Sequence, residues 1–147
     1  MRRRHLLLTT LLGAPLTLAG WLWLTMLSPF TYERPDHLPD IAPGPHEVFV
    51  YGTLRFDVVR WLVTGRAGES RPAVLEGYQR SGLDLEEAPG ERVEGEVIRV
   101  DAEELVRLDR YERLGIRYER VRLRLADGSE AWVYRRLPEA APAESRL

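Results

Sequence analysis

The sequence predicts an α+β fold: a mixed sheet curled into a small barrel with short flanking helices, preceded by one transmembrane helix. Three observations carry this expectation. Beyond residue 46, short β-branched and aromatic runs outnumber two helical stretches and do not alternate regularly with them. Ahead of that region, the 22 residues from Leu6 to Leu27 carry no charge. Between the two lies a proline-studded stretch with no apolar period.

Residues 1–30 read as an anchor. At about 1.5 Å per residue, a helix over Leu6–Leu27 reaches across a hydrocarbon core of about 30 Å. Trp21 and Trp23 lie toward its far end, where indoles favour the interface, and Pro15 kinks such a helix without forbidding insertion. Arg2, Arg3 and Arg4 precede the stretch, whereas Glu33, Asp36 and Asp40 follow it. This asymmetry puts the N-terminus in the cytoplasm and the rest of the chain on the outer, periplasmic or extracellular side. A cleaved secretory signal is the alternative, but Leu18-Ala19-Gly20 is a poor small-x-small site and bulky apolar residues continue past it. Residues 31–46, with Pro35, Pro39, Pro43 and Pro45, read as an extended linker.

The folded domain is expected over residues 47–137. Glu47–Tyr51 reads as a buried strand stopped by Gly52. A short helix follows from Phe56 to Val63, with Val59, Leu62 and Val63 facing inward and Gly65 as its C-cap. Val74–Tyr78 and Val93–Val100 are strand candidates, and the Gly82, Pro89 and Gly90 region between them reads as a loop. Asp101 caps a helix running to about Glu112, with Glu104 completing a capping box. Leu105 and Leu108 define its inward stripe, and Glu112 falls on that stripe where an apolar residue is expected. Tyr118–Leu125 alternates strictly, Asp127-Gly128 makes a hairpin turn, and Ala131–Tyr134 returns as the partner strand. Residues 138–147 read as a disordered tail.

Composition narrows the chemistry. The chain has no cysteine, and all 21 of its basic residues are arginine. Thiol nucleophiles, disulfides, Schiff bases and P-loop lysines are therefore excluded. The histidines, His5, His37 and His46, all precede the first strand as read from Glu47, which disfavours a serine triad or a histidine-rich zinc site in the domain. A net charge of −2, with three arginines clustered ahead of the anchor, argues against a nucleic-acid partner. A general base in such a domain is then a carboxylate.

The segment Val48-Phe49-Val50-Tyr51-Gly52-Thr53-Leu54-Arg55 resembles the opening signature of the gamma-glutamylcyclotransferase-like family, in its AIG2-like and gamma-glutamylamine cyclotransferase branch. Pro72–Tyr78, Val93-Glu94-Gly95-Glu96-Val97, Leu108-Asp109-Arg110-Tyr111-Glu112 and Tyr118-Glu119-Arg120-Val121 continue the resemblance in order. It implies a small-molecule gamma-glutamyl substrate, cyclised by its own α-amine to 5-oxoproline with release of an amine. It also implies that Glu112 is the catalytic acid/base, that Tyr51, Gly52, Thr53 and Leu54 form the substrate loop, and that Tyr118 lines the pocket. No metal or organic cofactor is implied. One departure stands out: the family commonly has glycine straight after the catalytic glutamate, whereas here Arg113 follows and glycine arrives at Gly115. Such an arginine could pair with the base or bind a substrate carboxylate. The alternative function is a non-catalytic, membrane-tethered binding or accessory module on the same fold.

Overall fold

The computed structural model describes residues 13–28 and 30–138. The chain divides into two compact units, residues 1–33 and 34–147. In the first, residues 13–22 are α-helical (α1) and Trp23–Leu27 continue as a π-helical turn. Among the described residues no helix is long and apolar enough to cross a membrane. The expected span begins at Leu6, so its first residues, 6–12, lie outside the described residues, as does the expected tail beyond Pro138.

The second unit is built on a five-stranded sheet: β1 (His46–Val50), β2 (Ser70–Ser81), β3 (Asp84–Val100), β4 (Tyr118–Arg124) and β5 (Glu130–Arg136). Their spatial order is β2-β3-β1-β5-β4, with β1 and β5 parallel and every other pair antiparallel. The helices are α2 (Asp57–Thr64) and α3 (Ala102–Glu112). Central β1 is buried on both faces, which is why Val48, Phe49 and Val50 read as an unbroken apolar run.

The expected barrel is not closed: the sheet is open, and no ladder joins its edges β2 and β4. It does curl, and isolated bonds bridge its two halves. Ala126 N donates to Val74 O at 2.9 Å, and Arg136 N donates to Asp84 Oδ1 at 2.8 Å. The curl encloses Phe49, Tyr51, Leu75, Leu85, Val93, Val97 and Val133.

The segment read as a loop around Gly82, Pro89 and Gly90 is instead the far half of the long β2–β3 hairpin. The turn signals are accommodated in a bulge: pairing jumps from Glu76↔Arg92 to Tyr78↔Glu87, leaving Pro89 and Gly90 without ladder partners.

The inward stripe expected for α2 is also corrected. Arg60, Val63 and Thr64 are its buried residues, while Leu62 is exposed. The guanidinium of Arg60 finds enough acceptors inside to be buried: Leu54 O at 3.1 Å, Arg55 O at 2.7 Å, Ala67 O at 2.8 Å and the Asp57 carboxylate. In α3 the capping box forms as read, Glu104 N to Asp101 Oδ1 and Asp101 N to Glu104 Oε2 both at 2.8 Å. Part of the proline-rich segment packs on the domain. Arg34 reaches the buried carboxylate of Asp109, and a Cβ on Gly115 would lie 2.9 Å from Pro35 Cγ.

Where β3 passes the end of β1, Gly95 has no room for a side chain. A Cβ there would stand 2.4 Å from Val50 O and 2.7 Å from Phe49 Cζ. Gly95→Ala must therefore push backbone against backbone, and chemical denaturation should show a loss of about 2 kcal/mol or more.

Candidate active site

The end of β1 and the end of α3 meet at one place. After Val50 the chain turns through Tyr51-Gly52 into a single 3-10 turn, Thr53–Arg55. Two arginines hold this turn from outside it. Arg80 Nη1 donates to Tyr51 O at 3.2 Å, and Arg60 Nη1 takes Leu54 O and Arg55 O. The amide N–H groups of Gly52, Thr53 and Leu54 meet no acceptor among the described residues. A Cβ on Gly52 would face open space. The turn thus presents consecutive backbone donors to an uncrowded side, an arrangement suited to a carboxylate or a developing oxyanion.

Glu112 approaches from α3. Its neighbour Tyr111 places its hydroxyl 3.4 Å from Thr53 Oγ1, tying the helix end to the turn. The Glu112 carboxylate has no hydrogen-bond or ion-pair partner among the described residues, and burial alone lifts its pKa from the ordinary 4.5 to about 7. Its charge is felt by three phenols. Tyr51, Tyr118 and Tyr134 are all shifted upward, chiefly by burial, with Glu112 contributing in each case.

The residues singled out from sequence therefore converge, with distinct parts. Tyr51 is buried and its hydroxyl donates to Tyr134 O at 2.9 Å, so its side chain braces the sheet. Leu54 is buried in the core and offers only its backbone. Thr53 is exposed on the turn, and Tyr118, half-buried, lies within electrostatic reach of Glu112. Arg113 does not counteract the burial of Glu112, since no guanidinium contributes to that shift.

Several contributors escaped sequence reading. Asp109, one turn before Glu112, is 1% exposed and accepts from Arg34 Nη1 at 2.8 Å, Arg120 Nη2 at 3.3 Å and Tyr134 OH at 2.5 Å. Its spacing of four from Leu105 was the available signal. Leu83 and Asp84, at the tip of the β2–β3 hairpin, also reach the site: Tyr118 OH lies 3.4 Å from Leu83 O, and Asp84 raises both Tyr51 and Tyr118. Among the described residues no three His, Asp or Glu side chains converge to hold a metal ion.

Residues 48–146 match the sequence profile of the family described as gamma-glutamyl cyclotransferase, AIG2-like. The chain belongs to that family. Two solution structures of Arabidopsis thaliana proteins resemble this cyclotransferase-family chain. One is 29% identical, with a TM-score of 0.55 over 67% of this chain and 66% of the other. The second is 30% identical, with a TM-score of 0.54 over 67% of this chain and 72% of the other. The chain thus spans about two thirds of their length. No protein among the curated ones matches it.

The departure from the family pattern has a backbone explanation. Arg113 is the C-cap of α3 and adopts φ 53°, ψ 56°, the left-handed conformation that glycine takes without steric cost. Arg113→Gly should relieve it and stabilise the protein by about 1 kcal/mol in thermal or chemical unfolding.

A second expectation concerns Glu112. Its folded pKa lies above its unfolded value, so it favours the fold fully below pH 4.5, and that contribution is lost as pH rises toward 7. Glu112→Gln should then be more stable than the parent at pH 8, by on the order of 2 kcal/mol, with the difference closing by pH 4. Unfolding curves at the two pH values measure it.

Proposed function

We propose that this chain is a gamma-glutamyl cyclotransferase acting on a gamma-glutamyl amine or peptide, with Glu112 as its acid/base. The observation that carries the proposal is the unpaired, desolvated carboxylate of Glu112 beside the open N–H groups of the Tyr51–Leu54 turn. With a pKa of about 7 it can accept a proton and return it near neutral pH.

In this reading the substrate's α-ammonium gives a proton to the Glu112 carboxylate. The freed amine nitrogen attacks the substrate's own γ-carbonyl carbon, forming the N–C bond of a five-membered ring. Negative charge gathers on the carbonyl oxygen, where the turn's N–H groups stabilise it. The original amide C–N bond then breaks as protonated Glu112 hands its proton to the departing nitrogen, and the ring nitrogen sheds its second proton, which the released amine takes up, leaving 5-oxoproline, an ammonium product and an ionised Glu112.

We further read the N-terminal segment as a membrane tether, with the N-terminus cytoplasmic and the domain outside. Leu16, Leu18, Trp21, Leu22 and Trp23 are all exposed, so α1 and its continuation are apolar on every side. The hydroxyls of Thr17 and Thr25 turn back onto Gly13 O and Trp21 O, each at 2.8 Å, which suits a surrounding without water.

Incubation with a panel of gamma-glutamyl amines and dipeptides, with 5-oxoproline measured by mass spectrometry, tests the reaction. The parent should form product and Glu112→Gln should lose at least about 100-fold in kcat/KM. The parent's kcat/KM should fall below about pH 7 as the base protonates. Equal product from both would mean that another group is the base, and product from neither would remove the enzymatic reading.

A further inference from the structure

The α2 helix is turned inside out relative to an ordinary surface helix. Its buried face carries Arg60 and Thr64 beside Val63, at 3%, 4% and 6% exposure, whereas Phe56, Val58, Trp61 and Leu62 stand 60%, 67%, 58% and 54% exposed. The spacings 58, 61 and 62 put three of these on one outward stripe, and Phe56 adjoins it at the N-cap. Exposed Arg55 stands at one end of the patch and Arg66, paired with the Glu104 carboxylate, at the other, and the exposed carboxylate between Phe56 and Val58, Asp57, is neutralised by Arg60. An outward stripe of tryptophan, phenylalanine and aliphatic side chains between arginines has the composition of a helix lying in a membrane interface.

The chain's own connectivity favours that surrounding over another protein. Only residues 28–33 separate the π-helical turn, which ends at Leu27, from Arg34, whose guanidinium is fixed to Asp109 on α3. Fully extended, such a connection spans about 20 Å, less than the width of a small domain. Once the N-terminal segment is in a bilayer, a connection of that length keeps the domain within reach of its surface. Helix α2 packs beside α3, with Arg107 Nη1 donating to Thr64 O at 2.6 Å. The four side chains present on the order of 400 Å² between them, well short of the roughly 800 Å² per partner of a stable protein interface.

We propose that the outward face of α2 docks into the interface of the lipid bilayer that anchors the chain, seating Trp61 among the headgroups and holding the Glu112 site at the membrane surface. The proposal rests on the tether reading, so its test separates the two. The chain contains no cysteine, so a single cysteine can be labelled without background. The full-length chain, as Val58→Cys, Leu62→Cys or the control Glu87→Cys, is labelled with an environment-sensitive fluorophore and reconstituted in phosphatidylcholine vesicles. Flotation on a density gradient comes first, followed by quenching with nitroxide-bearing lipids and with aqueous iodide.

The expected result is flotation, with lipid quenching at 58 and 62 at least about twofold stronger than at 87 and iodide quenching correspondingly weaker. A chain that does not float overturns the tether, and the docking with it. Flotation with labels at 58 and 62 as open to iodide as the control overturns the docking alone. Shielding at 58 and 62 that grows with the protein-to-lipid ratio assigns the patch to contact between copies and equally overturns the proposal.

Discussion

The arrangement of the domain depends on one buried carboxylate. Asp109 is 1% exposed and gathers Arg34 from the segment before β1, Arg120 from β4 and the phenol of Tyr134 from β5. Through it, a helix, two strands and the proline-rich approach to the domain are fixed at a single point. The Arg120 guanidinium also lies 4.5 Å from the Trp132 ring centroid, so the charge cluster is roofed by an aromatic. A carboxylate so placed is tolerated only because its partners are complete. Taking the carboxylate itself away would leave the Arg120 guanidinium, only 8% exposed, without its counter-charge, at a cost of about 3 to 5 kcal/mol.

The same helix carries a second carboxylate with the opposite treatment. Three residues on, one helical turn beyond Asp109, Glu112 is half-buried and desolvated without a partner, and so holds its proton up to about pH 7. The pairing of Asp109 and the isolation of Glu112 are linked: the network anchors the helix so that its end must sit against the sheet, whether or not Glu112 is satisfied there. The fold accepts this local loss because the stability of the helix is secured by Asp109, Leu105 and Leu108, the latter two fully buried. In the proposed reaction, where Glu112 takes a proton and gives it back, this lack of commitment is what the chemistry needs, since a strong partner would fix it in one state.

Much of this was legible in the sequence, for definite reasons. The capping box at Asp101 and Glu104, the alternation of β4 and the Asp127-Gly128 turn are local signals, and each formed as the residues dictate. Glu112 was visible because it breaks an apolar stripe, and the Tyr51–Leu54 turn because a β-branched run ends at glycine. What stayed hidden depended on distant partners. Arg60 looks like a surface residue until four carbonyl and carboxylate acceptors are brought round it, and Pro89-Gly90 looks like a loop until a bulge absorbs it. The open sheet has the same origin: closure is a matter of register between β2 and β4, separated in the chain by β3 and α3, and no local pattern encodes it.

The inverted helix α2 shows how one of these hidden contacts constrains the rest. With Arg60 inward to hold the carbonyls of Leu54 and Arg55, the 3.6-residue period obliges positions 58, 61 and 62 to face away from the sheet. The period says nothing about which residues stand there. Polar side chains would have left α2 an ordinary solvated helix, and the chain is rich in charged residues that would serve. Valine, tryptophan and leucine instead occupy the outward positions, beside a phenylalanine at the cap. The need to brace the turn explains the buried arginine but not the exposed tryptophan. In the docking proposed above, that exposed tryptophan finds its place in the bilayer interface to which the N-terminal segment would tether the chain.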